Sequence, residues 1–244
     1  MKRNLNFDGK SPLLYVIATP IGNLEEFSDR AKKIVSEMDY IACEDTRVSG
    51  KLLSFFNIKK QLISCHEHNE NEAGNKVIEL IKSGKKVAYM SDAGYPCISD
   101  PGQKLIALAI SNDINVSVVR GPNAMINALV GSGLDSGHFY FQGFLEAKDS
   151  LRRDELKSLY QRKETLIFYE SPHRIKSTLN AMYEILGNRK ACIARELTKL
   201  HEEYIRGTLE EFIEIEETQL IGEMVIIVEG NKDNNVVNLS DDEI

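Results

Sequence analysis

Two short stretches of this chain gather side chains that can move protons or hold anions. "CEDTR" places Glu44, Asp45 and Arg47 within four positions. A carboxylate there could serve as a general base, with the arginine orienting it or clamping a phosphate. The same residues would equally suit a helix N-terminus, which favours acidic side chains. "CHEHNE" adds Cys65, His66, His68 and Asn69. His66 reads best as a base or hydrogen-bond partner. An H-x-H pair without further ligands at a known spacing is a weak metal signal, and no metal is expected.

A third stretch, "SDAGYPCISDPG" from Ser91 to Gly102, carries two glycines, two prolines and two aspartates. Gly94 and Gly102 allow backbone shapes and close approaches that a side chain forbids. Pro96 and Pro101 fix the loop before a ligand arrives. Such a loop presents backbone groups to a flat polar ligand such as a nucleoside, and Asp92 and Asp100 could accept hydrogen bonds from ligand or loop. The plainer alternative is a rigid turn followed by a helix starting at Asp100 and Pro101. "ATPIGN", with Pro20 and Gly22, makes another tight loop, but it is not G-x-G-x-x-G. No G-x-x-x-x-G-K-[ST] occurs in the chain, so phosphate-driven binding of dinucleotides or ATP is poorly supported.

These stretches sit where elements change. "LLYVIA", "YIAC", "QLIS", "KVAYM" and "VSVV" are short apolar runs, each followed by a helical pattern. Ser28 and Thr46 are the expected caps of the first two helices. The third, with Ala73, Val77, Ile78 and Ile81 on one stripe, should stop near Gly84. The alternation predicts an α/β fold whose first sheet is largely parallel. After "GSGLDSGH" a second series begins with "FYFQGF" and "TLIFYE", then a helix opened by Ser171 with Pro172 at its first position. "ACIARE", "EEYIRG" and "EMVIIVEG" lack long helices between them, which predicts a mixed sheet. The expected division is an N-terminal α/β lobe over 1–120, a C-terminal α/β lobe over 121–231 and a polar, acidic tail over 232–244. In open sheets ligands bind beyond the strand ends, where the four stretches above fall, as do "RGPNA", "YESPHR" and "ARELTK".

With 244 residues, 42% hydrophobic and 27% charged, the composition is that of an ordinary globular protein. Four scattered cysteines without a C-x-x-C pair argue against a disulfide framework and fit a reducing cytosol. Neither a signal peptide nor a run long enough to span a bilayer is evident, so a cytoplasmic protein without a membrane partner is expected. A net charge of −7 disfavours a general nucleic-acid coat protein. It leaves room for a local basic face on "LRRDELKSLYQRK", where Arg152, Arg153, Lys157, Arg162 and Lys163 crowd together, or for a merely solvated helix.

Read in order, "ATPIGNLEEFSDRA", "ACEDTRVSGKLL", "HEHNE", "SDAGYPCISDPG", "GPNA", "QGFL", "TLIFYESPHR" and "ARELTK" resemble the ribosomal-RNA-modifying branch of the tetrapyrrole methylase superfamily. The resemblance runs from about Leu14 to Gly230. It implies a homodimer of two-lobed chains with S-adenosylmethionine in the cleft between the lobes. The implied reaction is methyl transfer to the ribose 2'-oxygen of a cytidine in the 16S rRNA of the small ribosomal subunit. Cofactor contacts carried over by motif are Pro20, Ala93, Gly94, Tyr95, Ile98, Asn123, Ala124, Glu170 and Leu197. Tyr95 departs from the smaller residue expected after "SDAG". Glu44, Asp45, His66 or Asp92 is the expected base, Arg47 places the RNA, and Arg152, Arg153, Lys157 and Arg174 form the expected basic rim. The alternatives are a small-molecule methyltransferase of the tetrapyrrole type and a non-catalytic ribosome-assembly module.

Overall fold

A strand covered on both faces by helices must be apolar at every position, not at every second one. Leu13–Ile17 (β1), Tyr40–Cys43 (β2) and Val87–Met90 (β4) have that composition, and all four residues of β4 are fully buried. Gln61–Ser64 (β3) and Asn115–Val119 (β5) expose polar or single apolar residues and form the edges. The five strands pair in the order β3-β2-β4-β1-β5, every pair parallel, so all their C-terminal ends lie along one edge. Helices Asp29–Glu37 (α1), Thr46–Phe55 (α2), Glu70–Lys82 (α3) and Gln103–Ser111 (α4) connect them. Two apolar clusters form the interior, one around Val77, Tyr89 and Leu105, the other around Ile17, Val35 and Ile41.

The structure is a computed structural model that describes residues 5–6 and 11–232; the expected tail beyond Lys232 lies outside the described residues. The chain divides between Asn123 and Ala124 into two compact units. The second unit opens with Ala124–Ser132 (α5) and builds a mixed sheet. Its strands are Phe139–Phe144 (β6), Thr165–Glu170 (β7), Lys190–Arg195 (β8), Glu203–Thr208 (β9) and Met224–Val228 (β10), in the order β6-β7-β10-β8-β9. β6 and β7 are parallel and the other pairs antiparallel. Asp149–Leu159 (α6), Ile175–Leu186 (α7) and Leu209–Glu214 (α8) enclose the core around Phe168, Leu179, Ile226 and Phe212. β10 is buried throughout, as a central strand must be.

Three local expectations need correction. Ser28 caps α1 as expected, its side chain accepting from the Ala31 N–H, but α2 is capped by Asp45 and not by Thr46. Asp45 holds extended backbone and its carboxylate accepts the Arg47 N–H at 2.8 Å. Secondly, α7 begins at Ile175 and not at Pro172; residues 172–174 form a turn in which the Ser171 carbonyl accepts the N–H groups of Arg174 and Ile175, while the buried Glu170 carboxylate takes the Ser171 N–H and the Thr178 hydroxyl. Thirdly, the cations of the expected rim are engaged within their own unit. Arg152 is buried against Asp149, Arg153 bridges Asp149 and Glu184, and Lys157 faces Asp154. Arg162 lies over the Tyr140 ring, and Arg174 donates to the carbonyls of Leu145 and Glu146.

Candidate active site

Parallel order brings the residues after β1, β2, β3, β4 and β5 to one edge of the first unit. The loop after β4 is held to the loop after β1 by a reciprocal pair of backbone bonds, Thr19 N–H to Gly94 O at 2.9 Å and Gly94 N–H to Thr19 O at 3.1 Å. The Thr19 hydroxyl adds a bond to the Ser91 carbonyl. Tyr95 reaches the loop after β5, where its hydroxyl oxygen accepts the Gly121 N–H. Gly121 in turn lies so close to the loop after β1 that a β-carbon there would sit 2.9 Å from the Ala18 side chain. Three loops that carry expected cofactor contacts are therefore tied into one surface.

The Ser91–Gly102 loop is strained as well as tied. Cys97 and Ser99 hold positive φ values of 73° and 60° without being glycine, and Gly94 and Gly102 are also left-handed. Strain of this kind persists only where the surroundings impose it, and it clusters at ligand-binding sites. Ala93 and Ile98 are exposed on this loop. Burial pushes the Cys97 thiol up to about 11 and the Cys65 thiol up to about 12, so neither is a ready nucleophile.

Beside the loop, Glu44, Asp45, Thr46, Arg47, Ser64, His66 and Asp92 line a cavity of about 380 Å³. All five residues expected to do chemistry meet here, from three strand ends, yet they are not equivalent. Asp45 is bound to Arg47 through both carboxylate oxygens, and this holds its carboxyl down at about 2. Asp92 accepts the Asp45 N–H at 3.2 Å; burial raises its pKa above the ordinary range. Glu44 is raised too, first by burial and then by the charges of Asp92 and Asp45, with His66 opposing. Asp100, a residue not counted among the catalytic candidates, is raised to about 7 by burial and by Glu44. His66 has its backbone fixed by the Asn69 side chain, while its Nδ1 is buried with no hydrogen-bond partner. Among the described residues no three His, Cys, Asp or Glu side chains are arranged to hold a metal ion.

Asn123 closes the first unit, and the remaining expected contacts belong to the second. Ala124 is the first residue of α5. Glu170 is 3% exposed, with its oxygens committed to Ser171, Thr178 and Arg174. Leu197 is buried in the β8–β9 connection, between Glu196 and Thr198, which both have positive φ. The residue the sequence reading overlooked is Glu70, whose contacts lie more than thirty positions away.

Residues 13–213 match the tetrapyrrole (corrin/porphyrin) methylases. The ribosomal RNA small subunit methyltransferase I of Bacillus subtilis is 45% identical over 239 residues, covering 97% of this chain and 82% of that protein. The protein of the same name from Thermotoga maritima is 43% identical over 220 residues, covering 90% of this chain and 99% of its own. Among solved structures, a uroporphyrin-III-C-methyltransferase from Thermus thermophilus superposes with a TM-score of 0.61 at 17% identity, covering 89% of this chain and 94% of its own. A diphthine synthase does so with a TM-score of 0.66 at 14% identity, covering 89% of each chain. At such identities the likeness of the two structures speaks for the fold. The chain belongs to the tetrapyrrole methylase family and, within it, to the ribosomal RNA small subunit methyltransferase I group.

Proposed function

We propose that the chain transfers the methyl group of S-adenosylmethionine to the ribose 2'-oxygen of cytidine 1402 in the 16S RNA of the small ribosomal subunit. The observation that carries this reading is the convergence of Glu44, Asp45, Arg47, His66 and Asp92 on one cavity beside the strained Ser91–Gly102 loop. The residues suit this cofactor better than a polyphosphate nucleotide. The loop and its neighbours bring Glu44, Asp92 and Asp100 together, and the loop contains no lysine or arginine. Such a loop offers acceptors to a cation and no positive side chain of its own to a polyphosphate. When bound, S-adenosylmethionine supplies an electrophilic methyl group on a positively charged sulfur. Pro20, Ala93, Gly94, Tyr95 and Ile98 would hold it on the first unit, with Asn123 beside them; Ala124, Glu170 and Leu197 are the contacts proposed on the second.

The ribose hydroxyl must lose its proton as its oxygen gains the methyl group, and a placed base is worth roughly 10²–10⁴-fold. Glu44 fits that task best. It lines the cavity with its pKa raised, whereas Asp45 is held ionised by Arg47 and Asp92, raised as well, spends one oxygen on the Asp45 N–H. Glu44 receives the proton, with His66 beside it, and Arg47, whose side chain is 85% exposed, meets the RNA backbone at the cavity mouth. The test offers methyl-labelled S-adenosylmethionine and the purified chain with small subunits lacking the modification, with naked 16S RNA, or with a porphyrinoid. Label on one ribose 2'-oxygen of the RNA is expected. Label on the porphyrinoid alone, or on nothing, would overturn the reading.

A further inference from the structure

Helix α4 begins where no side chain of its own can cap it. Its N-cap position is Gly102, which has no side chain, and a β-carbon there would sit 2.4 Å from the Tyr89 ring. The first N–H groups of a helix nevertheless need acceptors when they are buried. Glu70, the first residue of α3, supplies one. Its side chain is buried, and its Oε1 accepts from the N–H groups of Gly102 at 3.1 Å, Lys104 at 2.9 Å and Leu105 at 3.1 Å.

The backbone of the Ser91–Gly102 loop is consequently clamped at two points, Gly94 by Thr19 and Gly102 by Glu70, with the Tyr95 side chain bonded to Gly121 between them. Tyr95, Cys97, Ile98 and Ser99 lie between the clamps, including both non-glycine residues with positive φ. Releasing one clamp lets that strain relax. Glu70 also directly follows the segment that carries His66, which Asn69 fixes by accepting the His66 N–H and donating to the Ser64 carbonyl. One carboxylate thus joins the segment lining the cavity to the loop beside it.

We propose that Glu70 is a positioning residue that holds the Ser91–Gly102 loop in its cofactor-binding shape, an inference that rests on the function proposed above. Glu70 touches neither substrate nor cofactor; it acts through the backbone of Gly102. A glutamine keeps an acceptor oxygen at the same reach, an aspartate withdraws it by one methylene, and an alanine removes it and leaves buried N–H groups unpaired.

The experiment uses the full chain as wild type, Glu70→Gln, Glu70→Asp, Glu70→Ala and Val77→Ala. Val77 is a buried core residue of the same helix, about two turns beyond Glu70, with no side-chain group that could cap α4, and serves as the control for lost stability. Calorimetric titration with S-adenosylmethionine is run below every melting temperature. Glu70→Ala should weaken binding by about 10-fold or more, Glu70→Asp should shift it the same way, and Glu70→Gln should stay within about 3-fold of wild type. Val77→Ala should lower the melting temperature without weakening binding. Hydrogen exchange, read without cofactor, should show the amides of Gly102, Lys104 and Leu105 losing protection in Glu70→Ala and Glu70→Asp and keeping it in Glu70→Gln. Unchanged protection in Glu70→Asp and Glu70→Ala, unchanged affinity in both, or an equal loss of affinity in Val77→Ala would each overturn the inference. A wild type that fails to bind S-adenosylmethionine would sink the functional reading instead, and the exchange data would still decide whether Glu70 holds the loop.

Discussion

The Tyr95 hydroxyl oxygen accepts the Gly121 N–H at 3.2 Å, joining the loop after β4 to the loop after β5. The larger residue at this position thus has a structural task, which the family pattern of a smaller residue does not suggest. Tyr95→Phe removes one hydrogen bond and leaves the ring in place. A bond of this type is worth about 0.5–1.5 kcal/mol. Affinity for S-adenosylmethionine should fall by roughly 2- to 10-fold, with little change in turnover at saturation. Unaltered affinity, measured by titration, would mean that the remaining ties, the Thr19–Gly94 pair and the Glu70–Gly102 bond, order this surface without Tyr95.

Glu44 is expected to carry the base. Glu44→Gln should lower turnover by roughly 10²-fold or more while leaving S-adenosylmethionine affinity near wild type. The base must be ionised to act, so the rate should rise with pH through the Glu44 pKa. That limb should lie above the ordinary glutamate value, because burial and the nearby carboxylates raise it. In Glu44→Gln the limb should disappear. A pH–rate profile of unchanged shape in the variant would move the assignment to Asp92 or His66.

Much of this site could be read from residues alone. Each strand of the first sheet is an apolar run, and each chemically informative stretch follows one, so the α/β fold and the gathering of Glu44, His66 and Asp92 at one edge were accessible. What escaped depended on partners distant in sequence. Glu70 caps a helix more than thirty residues away, and no local pattern reports that. Arg152 and Arg153 looked like a nucleic-acid surface until Asp149 and Glu184 were found beside them. Ser171 and Pro172 are good helix openers, but the Ser171 carbonyl accepts from both Arg174 and Ile175, so the chain makes a turn first and α7 starts at Ile175.

Asp100 links the site to stability. Its folded-state pKa of about 7 lies above the ordinary value of 3.8, so the folded chain binds a proton more tightly than the unfolded one. The resulting stability is fully present below the unfolded pKa and is lost as pH rises through about 7. Asp100→Asn should therefore raise the melting temperature at pH 8 and change it little at pH 5. Partial exposure of Asp100 reduces the effect; an increase of about 2–4 °C, equivalent to about 1 kcal/mol in a chain of this size, is the expected scale. An equal gain at both pH values would show that Asp100 is ionised throughout.

Arg47 and the cations of α6 make opposite predictions for RNA. Arg153 and Lys157 are paired with acids on their own unit, so a phosphate would have to displace those acids before it gained a cation. Arg47 has a partner too, Asp45, but its side chain stands 85% exposed and lines the cavity itself, where an RNA strand presenting its ribose to Glu44 would pass. Arg47→Ala should therefore weaken binding to small subunits, and the slope of log affinity against log salt should fall by about 0.7–0.9, the loss of one phosphate contact. The alanine variants of Arg153 and Lys157 should leave that slope unchanged. Arg47→Ala also frees Asp45 from the partner that holds it at about 2, so its carboxyl should titrate nearer the ordinary aspartate value, which carbon-detected NMR can follow. If the salt slope changes with Arg153 or Lys157 and not with Arg47, the RNA crosses α6 and those ion pairs open to receive it.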